Sequence, residues 1–144
     1  MTKLYDRDFF AWTQDQADAL RRRSVNELDW ENLLEEVEGM GKQARSELRS
    51  QIVILLQHLL NWRFQPERRS RSWMFTILEQ RGEAQRVVDE SPSLKPLVEQ
   101  IFTDAYPTAR LRAARETRRL PKSFPAESPF TWDEAMNEPV DLED

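Results

Sequence analysis

The stretch from Ile52 to Phe64, IVILLQHLLNWRF, restricts the fold more than any other part of the chain. Plotted at 100° per residue, Trp62, Leu55, Leu59, Ile52, Leu56, Leu60, Val53 and Phe64 spread over an arc of about 200°. A helix lying on a surface needs a narrower stripe, so other helices must cover this one on several sides. Five tryptophans and seven phenylalanines within 144 residues supply apolar material for one core. The expected fold is all-α: a single-domain bundle of about five helices around this central hydrophobic helix, ending in an extended, proline-rich C-terminal tail.

The flanking segments repeat the helical spacing. A first helix is expected from about Asp8 to Arg23, with Phe9, Trp12, Thr13, Gln16, Ala17 and Leu20 on one side and Asp6 as cap. Ser24 and Glu27 form a capping-box pattern ahead of a segment whose stripe is Trp30, Leu33, Leu34 and Val37. Gly39 and Gly41 are poor helix formers, which predicts a bend or break before the central helix begins near Gln43. Pro66 ends that helix. Ser70 or Ser72 then starts another, carrying Trp73, Met74, Ile77, Leu78, Ala84, Val87 and Val88. After Ser91-Pro92, Ser93 can cap a fifth helix with Leu97, Val98, Ile101, Phe102 and Ala105 inward, which Pro107 should kink or split.

Four of the eight prolines fall in the last 24 residues. The expected division is a helical bundle over 1–123 and an acidic tail over 124–144 that packs on it. Thr131 to Met136 can form one short capped turn there, with Phe130 and Trp132 as anchors. Charge is blocked along the chain: 24–40 carries six acids and no base, 105–123 is net +5, and 124–144 is net −7. Blocks of opposite sign most simply neutralise one another within the fold.

Several function classes are excluded by inventory. With no cysteine, thiolate nucleophiles, disulfides and thiolate metal sites are out, and the compartment expected is cytoplasmic. Three glycines and no repeat argue against phosphate loops and solenoids. The opening MTKLYDRDFF lacks an apolar signal core, and the longest unbroken apolar run is Ile52–Leu56, so no membrane partner is expected.

The chain resembles a bacterial family catalogued as domain of unknown function 29. The likeness is carried by Tyr5-Asp6 with Phe9 and Trp12, by LDWENLLEEVEGMG from Leu28 to Gly41, and by HLLNW from His58 to Trp62. It continues through Gln65-Pro66, Ser72-Trp73, Gln80-Arg81, SPSL from Ser91 to Leu94, Tyr106, Glu116-Thr117 and Phe124-Pro125. Asn61 stands where the family often has lysine, and Ser128 where a cysteine often precedes the proline. The resemblance implies a helical bacterial domain and brings no activity, ligand or catalytic residue.

His58, the only histidine, is the one side chain whose intrinsic pKa suits proton transfer near neutrality. At the polar margin of the central helix, its bland reading is a partly buried, hydrogen-bonded residue. Glu35, Glu36 and Glu38 with His58 could be drawn as a metal site. However, helical di-metal centres need two Glu-x-x-His pairs, so neither a metal nor another cofactor is expected.

Gln80 and Arg81 fall among apolar positions, as do Arg112 and Glu116. A buried guanidinium needs a partner, which predicts pairing of Arg81 with Glu116 or Glu38. The candidate polar cluster is therefore Glu38, His58, Gln80, Arg81, Arg112 and Glu116, either structural or the site of an enzyme or small-ligand binder. Arg21–Arg23, Arg68–Arg71 and the arginines from Arg110 to Arg119 could contact nucleic-acid phosphates, with Trp73 or Phe124 stacking on bases. The net charge of −5 weighs against this. With catalytic equipment scarce, the favoured expectation is a non-enzymatic helical module that binds a protein partner or itself.

Overall fold

The structure, a computed structural model, describes residues 3–142; the chain ends Met1-Thr2 and Glu143-Asp144, which belong to the two expected segments, lie outside them. Among the described residues the fold is all-α. Six helices follow in order: α1 (Leu4–Arg7), α2 (Phe9–Arg21), α3 (Trp30–Phe64), α4 (Arg71–Glu90), α5 (Val98–Thr117) and α6 (Trp132–Asn137). Short 3-10 turns precede α3, α4 and α5, and another follows α5 at Pro121–Ser123. The chain forms two compact units, Met1–Gln43 and Ala44–Asp144.

In the N-terminal unit, Asp8 caps α2 by accepting the Ala11 amide at 3.0 Å, the role expected of Asp6, which lies inside α1. Trp12, Gln16 and Ala19 are the buried residues of α2. The Trp12 indole donates to Asp29 at 3.0 Å, and the Gln16 carbonyl accepts the Asp29 amide at 2.7 Å. These bonds bring α2 against the first turn of α3. Ser24 does not cap it: Val25–Glu27 forms a 3-10 turn with no side-chain cap from Ser24, and Asp29 takes up that place beside Asn32.

Of the bend or break expected at Gly39 and Gly41, the break does not occur. Helix α3 runs without interruption for 35 residues, and neither glycine has a positive φ. Each glycine costs only about 1 kcal/mol of helix propensity, too little to stop a helix already formed on both sides. A Cβ added at either position meets open space. Gly39→Ala and Gly41→Ala should therefore each stabilise the chain by about 0.5–1 kcal/mol, read as a higher urea midpoint. A lower midpoint would mean that the helix breaks there in solution.

In the C-terminal unit the central part of α3 is enclosed as its apolar arc requires. Leu48, Ile52, Val53, Leu55, Leu56, Leu59, Leu60 and Trp62 are buried in one cluster with Ile77, Ala84, Val87 and Val88 of α4. Helix α5 adds Ile101, Phe102, Ala105, Tyr106, Ala109 and Ala113 to the same cluster. Leu78 and Leu97, expected to face inward, are instead exposed.

Ser70 caps α4 through the Trp73 amide, as its position suggests. Ser93 does not cap α5, because Pro92–Leu97 forms a 3-10 stretch and the helix starts at Val98. Nor does Pro107 split α5. Both Pro107 and Thr103, whose carbonyl it leaves without an amide donor, are exposed, so water can serve that carbonyl while the alanine face stays packed.

Beyond α5, Phe124, Phe130, Ala135 and Val140 join the core cluster, with Trp132 packed against it. Thr131 and Glu134 close a reciprocal capping box on α6.

Candidate functional site

The six polar candidates do not converge. His58, half-buried on α3, places Nδ1 2.9 Å from the Ile54 carbonyl, an acceptor only, so that nitrogen carries the proton. Glu116 is exposed on α5, and its Oε2 accepts from Gln57 at 2.7 Å and from Asn61 at 2.9 Å. Glu38 and Arg112 are exposed. No hydrogen bond or ion pair links His58, Arg81 and Glu116 to one another among the described residues.

Arg81 is the main correction. It pairs with neither Glu116 nor Glu38. Its Nε donates to the Ala135 carbonyl at 2.8 Å and its Nη2 to the Glu138 carbonyl at 2.6 Å, so it clasps the end of α6. Burial holds its pKa below the ordinary arginine value, partly offset by the charge of Glu138. The carboxylate of Glu138 is itself held by Arg63 Nη2, with both oxygens at 3.0 Å. Arg63 also lies 4.2 Å over the Phe130 ring. Backbone carbonyls as acceptors have no side-chain signature, which is why the sequence pointed to a carboxylate.

Asn61 and Gln65 are the polar residues that sequence reasoning missed. Both are buried, Asn61 in the last turn of α3 and Gln65 just past its end. Asn61 Oδ1, Gln65 Nε2 and Gln80 Oε1 make no hydrogen bond. The detectable signal was the position of Asn61 about 60° beyond Phe64, at one edge of the apolar arc. Amides offer neither a nucleophile nor a proton carrier, so these three side chains have unused hydrogen-bonding capacity but no evident chemistry.

Two clefts border the segment after α5. One of about 290 Å³ is lined by Trp62, Arg63, Arg69, Phe130 and Glu138, with the Arg69 guanidinium 4.9 Å over the Trp62 ring. A larger one of about 580 Å³ runs past Phe102, Tyr106, Pro107 and Phe130. Neither contains His58, Arg81 or Glu116 in its lining. Among the described residues, no group of three histidine, aspartate or glutamate side chains is arranged to hold a metal ion.

Several members of the arginine clusters already have partners. Arg22 bridges Asp18 and Glu27, Arg119 lies 3.8 Å from Glu67, and Arg110 donates twice to the Phe124 carbonyl.

The most unusual surface is in the N-terminal unit. Tyr5 packs edge-on against Phe9 and Trp12 and donates its hydroxyl to Glu36, so the contacts of α1 and α2 fall on the Asp29–Glu36 side of α3. That bond, followed by burial and the charges of Glu35, Glu36 and Asp6, pushes the Tyr5 pKa up to about 12. Hydrogen bonds from Asn32 and Trp12 hold the Asp29 carboxyl below its usual range, against the effect of burial.

Of the expected stripe, Leu33 is half-buried and Trp30, Leu34 and Val37 are left open. Trp30 and Leu34 are each 60% exposed, Val37 63% and Met40 67%. Phe9, Phe10, Leu20 and Val25 of the same unit are exposed as well. Acidic Glu31, Glu35 and Glu38 flank the open stripe, all exposed and without an ion pair among the described residues.

Comparison with known proteins gives one match. The model of a family described as a domain of unknown function, DUF29, covers residues 4–140. No curated protein and no solved structure matches the chain. Among the described residues, no helix is long and apolar enough to cross a membrane.

Proposed function

Since the chain belongs to the DUF29 family over nearly its whole length, a membership that assigns no activity, we propose that it is a non-enzymatic helical module that binds another macromolecule. The supporting observation is the run of large apolar side chains left open to water on the N-terminal unit, from Phe9 to Met40. Contiguous exposed apolar surface is costly to keep in solution and marks interaction sites.

The polar candidates favour binding over catalysis. Arg81 and Glu116 are engaged with structural partners, and the hydrogen bond that His58 makes among the described residues goes to the backbone carbonyl of Ile54. The internal partners of Arg22, Arg110 and Arg119 favour a protein target over nucleic acid. A bacterial, cytoplasmic setting suits a chain without cysteine.

The test is site-specific photocrosslinking in producing cells, with a benzophenone amino acid at Val37 and, as control, at the exposed Phe75 of α4. Adducts to another protein or to a second copy from Val37 but not from Phe75 are expected. Absence of adducts at Val37, or equal labelling at both positions, would remove the proposal.

A further inference from the structure

We infer that the open stripe of α3, Trp30, Leu34 and Val37, receives a cationic amphipathic helix from another protein. This rests on the binding role proposed above and specifies its partner. The three residues follow i, i+4, i+7 spacing, fall within about 60° of one another and span roughly 10 Å of helix. That is the pattern with which one helix reads another.

Within the C-terminal unit, Leu48, Ile52 and Leu55 have the same i, i+4, i+7 spacing and are buried in a cluster with α4 and α5. Within the N-terminal unit, Trp30, Leu34 and Val37 have that spacing and are open.

Charge selects the kind of helix. Residues 24–40 contain six acids and no base. Glu27 is neutralised by Arg22, whereas Glu31, Glu35 and Glu38 have no ion-pair partner among the described residues. A lysine- or arginine-rich helix would meet those carboxylates while its apolar edge covers Trp30 and Val37, gaining both affinity and steering.

A second copy is a poor fit. Its own stripe would bring the same excess of negative charge. Its most basic stretch, 105–123, lies largely in α5, a helix with three acids and three bases that already buries its apolar face through Ala105, Ala109 and Ala113 and exposes only Leu111 among its large apolar residues.

The experiment uses the full chain and a fluorescent designed peptide of about 18 residues, with leucines at i, i+4 and i+7 amid lysines. Binding is followed by anisotropy. The peptide should bind at low salt and weaken about tenfold or more against Trp30→Ser or Val37→Ser. Both variants should keep the parent unfolding midpoint, because the side chains they shorten are exposed. A glutamate-substituted peptide with the same leucines should not bind, and added salt should weaken the lysine peptide.

Lack of binding at low salt, equal binding by the acidic peptide, or indifference to the Trp30 and Val37 variants would each overturn the inference. A homodimer broken by Val37→Ser would overturn the foreign helix as partner. Crosslinks from Val37 would still leave the broader binding role standing, so the two ideas fail separately.

Discussion

Truncating Leu56 to alanine is expected to lower the unfolding free energy of the C-terminal unit by about 3–4 kcal/mol. Leu56 has no exposed surface in the C-terminal third of α3, and its neighbours Val53, Leu55, Leu59 and Leu60 are also buried. The loss has two parts: the transfer free energy of the deleted carbons, and the contacts forfeited around a cavity that tightly packed surroundings cannot close.

Leu34→Ala on the same helix is the internal control. Leu34 is 60% exposed, so its truncation should change stability by no more than about 0.5 kcal/mol. Urea unfolding of the two variants measures the contrast directly. Similar midpoints for both would show that α3 is not enclosed as described.

Arg81→Met should cost about 2–3 kcal/mol. Methionine retains an aliphatic stem but removes both hydrogen bonds to the carbonyls of Ala135 and Glu138, and bonds from a charged donor contribute about 1.5–3 kcal/mol each. The total stays well below twice that value, because removing the guanidinium also removes the cost of burying it, the same effect that depresses its pKa.

The damage should be local. Amide hydrogen exchange in 130–140 should accelerate more than exchange in α4, since Phe124, Phe130 and Val140 remain to hold the segment through apolar contact. A Met variant as stable as the parent, with unchanged exchange, would assign the anchoring to those apolar residues alone.

Local patterns carried a large share of the fold. The arc from Ile52 to Phe64 identified the buried core helix, the serines at 70 and 72 marked the start of α4, and the stretch from Thr131 to Met136 marked α6. Each involves residues within a few positions of one another, where spacing and hydrogen-bonding chemistry suffice. Gly39, Gly41 and Pro107 fail to break their helices for one shared reason. Their local costs, about 1 kcal/mol for a glycine and about 3 kcal/mol for a buried proline, are outweighed where the helix is long or where the lost bond faces water.

The candidate site was much less legible. That Trp30, Leu34 and Val37 share a face follows from the helical period, as does the acidity beside them. Whether anything covers that face does not, because period is a property of one helix and burial a property of its neighbours. The equivalent residues Leu48, Ile52 and Leu55 show the same spacing and the opposite exposure.

Arg81 makes the same point for polar groups. Its place among apolar residues required a partner, but acceptors 54 and 57 residues away on the backbone are named by no side chain. The sequence by itself therefore determined helical class, the central buried helix and the absence of thiol chemistry. Only the tertiary structure decided which apolar stripe stays open and which carbonyls accept hydrogen bonds from the half-buried Arg81, because both depend on segments brought together from far along the chain.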